Sequence, residues 1–356
     1  MRKFICAFLA LFMLTGCHKA KESIQEQTAN NTASMNSFDD SYYKIVKFDD
    51  SELREDFYLD YGSTNDFQSV GRGLQLISND YFSTSNHYMS EGQYLKLSLV
   101  KEMLSRKSEN SLQPESGRVI ENIESPVMVQ NLQEQDYYIK DGDRYTLKGL
   151  AFAIVIDPRK SDNTRLDVAM SDKEIVKYGR ECIEKFYKVI QNSDDFKNVK
   201  NIPVLITVYQ ATDKTTSTVN GHYILKSYCQ NELGEISNVN QETVLFVSER
   251  AQQIDKTTSN DFDTIKAGLK NAATEAAGFV GEAKYVNGEI QSMVINVHLN
   301  VKTATELMYL TSIVADGIES KFTYDFDTKV LIYSQDELSA IIVKEKGKSA
   351  KSYSLE

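Results

Sequence analysis

The 356-residue chain contains no tryptophan, four prolines, four cysteines and four histidines. Each scarcity excludes something. Four cysteines (Cys6, Cys17, Cys182 and Cys229) are too few for a disulfide scaffold in a chain this long. The histidines, at 18, 87, 222 and 298, stand far apart, with no two at metal-ligand spacing, so no metal site is expected. Positive charge is also short, with 40 Lys and Arg against 51 Asp and Glu, a formal net charge of −11. No basic stripe interrupts that balance, and an acidic chain is repelled by phosphate backbones, so nucleic acid is excluded as a partner. Catalytic signatures are missing as well: there is no G-x-S-x-G, no H-E-x-x-H and no P-loop. Gly71-Arg72-Gly73 lacks the third glycine and the preceding strand of a dinucleotide fingerprint and reads as a turn. Asp141-x-Asp143 opens like a calcium loop, but Thr146 stands where glycine is needed and no Glu falls at position twelve. No cofactor and no enzymatic activity are therefore expected.

What is present begins at the first residue. Met1-Arg2-Lys3 is basic, and Phe4 to Leu14 is an unbroken apolar run. A bilayer-spanning helix needs ~20 apolar residues, so this run has the length of a signal-peptide core. It ends in Leu14-Thr15-Gly16-Cys17, followed by polar His18-Lys19-Ala20-Lys21. The tetrapeptide resembles the lipobox of bacterial lipoproteins. Thr15 and Gly16 are small enough to admit a protease to the bond between Gly16 and Cys17. The Cys17 thiol can take a diacylglyceryl group as a thioether, and two acyl chains give a stable hold where one is marginal. The expected partners are thus membrane lipid, through that anchor, and the diacylglyceryl transferase and signal peptidase that install it. The expected location is the extracytoplasmic face of the cell membrane. Losing residues 1–16 removes Arg2 and Lys3 and makes the mature chain two units more negative.

Residues 17–40 are polar, without an apolar period, and read as a flexible tether. Residues 41–145 read as a mixed α/β region. It has helical stripes through Val70, Leu74, Ile77 and Tyr81 and through Leu95, Leu99, Val100 and Met103. Short strands are expected at 127–129 and 137–139, with a hairpin turn at Asp141-Gly142-Asp143. Residues 146–356 read as a two-layer ectodomain. Gly149–Ile156 is a buried strand. Residues 172–191 form an amphipathic helix on Ile175, Tyr178, Cys182, Phe186 and Val189, capped by Ser171 or Asp172. Strands follow at 204–209 and 223–229. Phe262, Ile265, Leu269 and Phe279 suggest a further helix. The order then recurs: a hairpin turning at Asn287-Gly288, a helix over about 303–320 on Leu307, Leu310, Val314 and Ile318, and strands at 329–333 and 339–344. The expected fold class is α+β, antiparallel sheets packed by helices, in two related strand–helix–strand–strand layers. Cys182 and Cys229 are expected as free buried thiols, with a disulfide between them as the alternative outside the cytoplasm.

Several short stretches resemble the CamS family, the sex-pheromone-precursor lipoproteins of low-GC Gram-positive bacteria. They are Gly71-Arg72-Gly73-Leu74-Gln75, Asn79-Asp80-Tyr81-Phe82-Ser83, Glu91-Gly92-Gln93-Tyr94-Leu95, Leu112-Gln113-Pro114, Glu134-Gln135-Asp136-Tyr137-Tyr138, Leu147-Lys148-Gly149-Leu150-Ala151 and Ile202-Pro203-Val204. The resemblance runs from about residue 40 to the late hairpin and implies that the signal lies in the discarded leader. After cleavage before the lipidated cysteine, an intramembrane protease trims the leader to a short apolar peptide that promotes plasmid transfer. The matching segment here is Leu9, Ala10, Leu11, Phe12, Met13, Leu14, Thr15 and Gly16, with or without Gly16.

Neither the residues nor the resemblance states what the large ectodomain does. The leading expectation is a non-enzymatic, surface-anchored lipoprotein. The first alternative is a ligand-binding ectodomain taking a peptide or cell-wall fragment in a cleft between the two layers. The second is an extracytoplasmic hydrolase, which requires a nucleophile–base pair that the sequence does not display.

Overall fold

A computed structural model describes residues 26–29, 31–33, 42–56, 67–212, 221–246, 248–273 and 278–355. The first layer contains strands β1 (Glu26–Thr28), β2 (Asn31–Ala33), β3 (Lys44–Lys47) and β4 (His87–Glu91), and helices α1 (Glu52–Asp56), α2 (Phe67–Ser78) and α3 (Leu97–Leu104). A small hairpin, β5 (Val119–Ile120) and β6 (Ile123–Glu124), stands apart from the main sheet. The layer continues with β7 (Val127–Asp141), β8 (Arg144–Arg159), helix α4 (Asp172–Asn192), β9 (Val204–Gln210), β10 (His222–Cys229) and β11 (Ser237–Asn238). The sheet order is β11-β10-β9-β8-β7-β4-β3-β2, with β1 also paired to β8. The second layer holds β12 (Gln241–Phe246), α5 (Glu249–Ile254), α6 (Lys256–Ala272), β13 (Gly278–Val286), β14 (Glu289–Leu299), α7 (Ala304–Lys321), β15 (Asp327–Ser334), β16 (Glu337–Lys344) and β17 (Lys351–Ser354). Its strands lie in the order of the chain.

The α+β class and the repeated layer order are both present. In each layer an antiparallel hairpin (β7–β8, β13–β14) leads through a helix (α4, α7) to a strand parallel to the hairpin's second strand, and then to an antiparallel return. A helical crossover is what a parallel pair needs, since a tight turn cannot reverse the chain twice.

β8 explains why the first layer is covered on both faces. Its side chains alternate between two buried clusters. Leu150, Phe152, Ile154 and Ile156 pack with α4 residues Ile175, Cys182, Ile183 and Phe186. Ala151, Ala153 and Val155 pack with α2 residues Val70, Leu74 and Ile77. A strand buried on both sides reads as a continuous apolar run, which is how Gly149–Ile156 looks in the sequence. The α2 face is closely fitted. A Cβ at Gly73 would lie 2.4 Å from the Tyr223 ring, and one at Gly149 would lie 2.2 Å from the Phe82 ring. Gly71-Arg72-Gly73 is therefore mid-helix and not the expected turn; its second glycine is there for the tyrosine beneath it. In the second layer, α6 and α7 share a core with β13–β16 through Phe262, Ile265, Leu269, Leu310, Val314 and Ile318.

Other expectations need correction. The strands expected at 127–129 and 137–139 are one strand, β7, and Asp141-Gly142-Asp143 turns it directly into β8, with Gly142 at φ 58°. A region boundary at 145/146 would cut β8 in two, because Tyr145 and Thr146 are consecutive residues of that strand. The change of sheet comes between β11 and β12, near residue 240. Phe279 belongs to β13 and not to the helix of Phe262. Within the expected tether, Glu26–Thr28 pairs with Arg144–Thr146 and Asn31–Ala33 with Ile45–Lys47, so both pieces join the first sheet, β2 at its edge and β1 beside the start of β8. The leader and Cys17 lie outside the described residues.

Candidate functional site: a groove between the layers

The two layers meet where β10 and β11 hand the chain to β12. The Asn287 N–H donates to the Asn240 carbonyl at 2.7 Å and docks the β13–β14 turn against the connection. That turn is the type I′ geometry which Asn-Gly signals, with Asn287 at φ 52° and Gly288 at φ 80°. Beside it lies an open groove of about 490 Å³, walled by Asp172, Gln210 and His222 of the first layer and by Glu242, Arg250 and Tyr285 of the second.

Its polar groups are held in place from both sides. Gln210 Nε2 donates to Asp172 Oδ1 at 2.9 Å, while Gln210 Oε1 is buried and accepts no hydrogen bond. Arg250 forms a two-pronged pair with Glu242, both contacts at 2.6 Å. Tyr285 donates to Asp255 at 3.2 Å, and burial raises its hydroxyl well above the usual range. Burial lowers His222 from its ordinary value, more than Asp172 and Glu242 raise it, so the ring is a neutral donor–acceptor at pH 7. Val176, Ile224 and Ile254 supply apolar lining. The groove therefore offers a neutral imidazole over a partly apolar floor, while the unpaired Gln210 oxygen is buried behind its wall. That suits a ligand carrying N–H or O–H donors and suits an anion poorly.

The groove lies between the two layers, where a cleft was expected, and Tyr285 is the one tyrosine in its lining. Cys229, the nearest thiol along the strand from His222, ends β10 about 23 Å away by strand rise. Cys182 and Cys229 are both free and buried, so no disulfide joins them, and burial pushes Cys182 up to about 12. No group of three or more His, Cys, Asp or Glu that could hold a metal occurs among the described residues. Three of the four histidines lie among them, and each has a local role. His87 Nδ1 lies 3.0 Å from the Ser83 carbonyl, His222 walls the groove and His298 stacks on Tyr333 at 4.9 Å.

The stretches that carry the family resemblance come together in the first layer, away from this groove. Gln135 Nε2 donates to the Gly71 carbonyl at 2.7 Å. Phe82 stacks on Tyr137 at 4.7 Å and covers Gly149. The Gln113 amide inserts into the end of β7, accepting from the Met128 N–H at 2.9 Å and donating to the Val129 carbonyl at 2.6 Å. Tyr178 of α4 donates to the Leu112 carbonyl at 2.6 Å. Glu134 accepts the N–H groups of Tyr94, at 3.1 Å, and Leu95, at 2.8 Å, and Asp136 accepts that of Gln93 at 3.1 Å. The shared motifs are thus packing and tethering residues around β7. Spacing alone could not show this, because the hydrogen-bonded partners lie 15–66 residues away.

Comparison with known proteins agrees. The chain is similar to the crystal structure of a sex pheromone precursor from Lactobacillus salivarius subsp. salivarius, at 21% identity and a TM-score of 0.78, covering 92% of this chain and 99% of that one. It is also similar to the C-terminal domain of the sex pheromone staph-cAM373 precursor from Staphylococcus aureus, at 21% identity and a TM-score of 0.64, covering 81% of this chain and 96% of that one. At that identity these likenesses speak to the fold alone. A search of curated proteins finds no match. Residues 48–350 match the family described as CamS sex pheromone cAM373 precursor, and with so much of its length accounted for, the chain belongs to that family.

Proposed function

We propose that this chain is a precursor with two products: a lipid-anchored surface protein and a short apolar peptide pheromone cut from its leader. The observation that carries the reading is Leu14-Thr15-Gly16-Cys17 at the end of an eleven-residue apolar run, ahead of a body that belongs to a pheromone-precursor family. Diacylglyceryl transferase modifies the Cys17 thiol, and signal peptidase cleaves between Gly16 and Cys17. The freed Leu9–Gly16 segment is uncharged and short enough to leave the membrane and enter a receptor groove. Family membership points to an extracellular or surface protein, and no helix among the described residues is long and apolar enough to cross a membrane. The body acts without catalysis. Metabolic labelling with palmitate tests the anchor: the native protein takes the label, and Cys17→Ala loses both label and processing. Persistent label in the variant refutes the assignment. Synthetic LALFMLTG in a plasmid-transfer or clumping assay tests the leader.

A second reading concerns the body alone. The interlayer groove, with its neutral His222 imidazole over an apolar floor of Val176, Ile224 and Ile254, favours binding of a peptide or a cell-wall fragment. Isothermal titration of the mature chain with muropeptides and with short peptides tests it. Binding that survives Gln210→Leu and His222→Phe would place the ligand elsewhere.

A further inference from the structure

Two carboxyl groups are buried side by side on β7. Glu134 and Asp136 are two residues apart, so both project from one face of the strand. That face is apolar: Asp136 pairs across the sheet with Leu150 and Glu134 with Phe152. Glu134 is 6% exposed and Asp136 is fully buried. Against them lies the segment Gly92–Leu95, which leads into α3. Its three consecutive N–H groups, from Gln93, Tyr94 and Leu95, all donate to the pair. The segment can approach this closely only because residue 92 is glycine. A Cβ there would lie 2.3 Å from the Glu134 side chain.

The arrangement needs a proton. Asp136 Oδ1 is buried and no N–H or O–H group reaches it. The Glu134 carboxyl is buried beside it on the same face, and two carboxylates held together away from water repel each other unless one carries hydrogen. The charged and titratable groups facing the pair do not remove that need. Lys96 is the cation that acts on Glu134, but its Nζ also pairs with Glu52 at 3.7 Å. The Tyr138 hydroxyl donates a long bond to Asp136 Oδ2 at 3.4 Å, and burial keeps the Tyr94 and Tyr138 hydroxyls protonated. Glu91, one residue before the segment, is itself held toward its neutral form by burial.

We propose that Glu134 and Asp136 form a proton-dependent latch, in which one shared proton holds Gly92–Leu95 and the start of α3 against β7 and its loss lets that segment detach. The bookkeeping is simple. The closed latch holds a proton; in the detached state both carboxyls are solvated and ionised near neutral pH. Opening therefore releases one proton. The opening equilibrium rises tenfold per pH unit between the ordinary carboxylate range and the pH at which the closed pair itself ionises. Mild acid closes the latch, and rising pH opens it.

Hydrogen exchange on the mature chain from residue 18, with rates corrected for the chemical pH dependence of exchange, tests this. The amides of Gln93, Tyr94 and Leu95 should exchange faster than those of Leu150–Ile156 in β8, and their protection should fall at least tenfold from pH 5 to pH 7. In Asp136→Asn the side-chain amide supplies a permanent hydrogen, and the fall should vanish. Should that variant fail to fold, Glu134→Gln supplies the same hydrogen from the other partner and is read in the same way. Lys96→Ala should carry the fall to higher pH. Protection independent of pH in the native chain, or the same slope in the amide variants, overturns the latch.

Discussion

At the scale of single residues, the buried polar groups of β7 and the glycines beneath aromatic rings set the tolerances of this protein. Gly149 meets Phe82 at a distance no side chain can share, so Gly149→Ala should cost about 1–3 kcal/mol, read from the urea midpoint of the first layer. The Glu134–Asp136 pair, whose ionisation burial pushes above the ordinary carboxylate range, makes a signed prediction about the whole fold. A carboxyl whose folded value is raised contributes stability that is complete below the unfolded value and lost as pH climbs through the folded one. Denaturation midpoints should therefore fall as pH rises above the ordinary carboxylate range, and Glu134→Gln should flatten that slope.

At the scale of elements, the helices begin where side chains satisfy their free N–H groups, and not all of them do so in the same way. Thr303 caps α7 by accepting the Glu306 N–H at 3.2 Å, and Glu306 reaches back toward the Lys302 N–H at the same distance. Thr303→Ala should destabilise the second layer by about 1 kcal/mol in thermal melts. Asp255 does more for α6. It takes the Thr258 N–H at 2.9 Å and the Thr258 hydroxyl at 2.7 Å, and it holds Tyr285 at the groove wall. α4 differs from the expected pattern: Ser171 occupies the cap position without a side-chain bond, and its own N–H goes to Glu121 of the β5–β6 hairpin at 2.6 Å. The periodicity of α4 was legible because Ile175, Tyr178, Cys182, Phe186 and Val189 fall on one stripe. The unity of β7 was not. Gln130, Asn131, Gln133, Glu134 and Asp136 break its apolar pattern, yet all are buried, and most find partners in segments distant along the chain.

At the scale of the molecule, the two layers have separate hydrophobic cores and meet along a polar groove. Layers that do not share a core need not unfold together. Phe262 packs on Phe246 at 5.3 Å and Phe279 at 4.9 Å within the second core. Phe262→Ala should cost that layer about 3–5 kcal/mol and leave exchange protection in β8 unchanged, so that urea unfolding becomes visibly two-stepped. A single transition with equal loss of protection in both layers would show that the groove couples them. The groove had no signature in the sequence. Asp172, Gln210, His222, Glu242, Arg250 and Tyr285 are strung over more than a hundred residues, in settings that each read as ordinary surface or strand.

The amino-acid sequence by itself determined the kind and order of the elements, the recurrence of one layer pattern and the family. These depend on local periodicity, turn chemistry and short motifs, all carried by residues near one another in the chain. Only the tertiary structure decided that β7 is continuous, that two carboxyls share its apolar face and that a groove opens between the layers. Burial, the sharing of a proton and the fit of a glycine under a ring each depend on what lies opposite, and no local pattern specifies that.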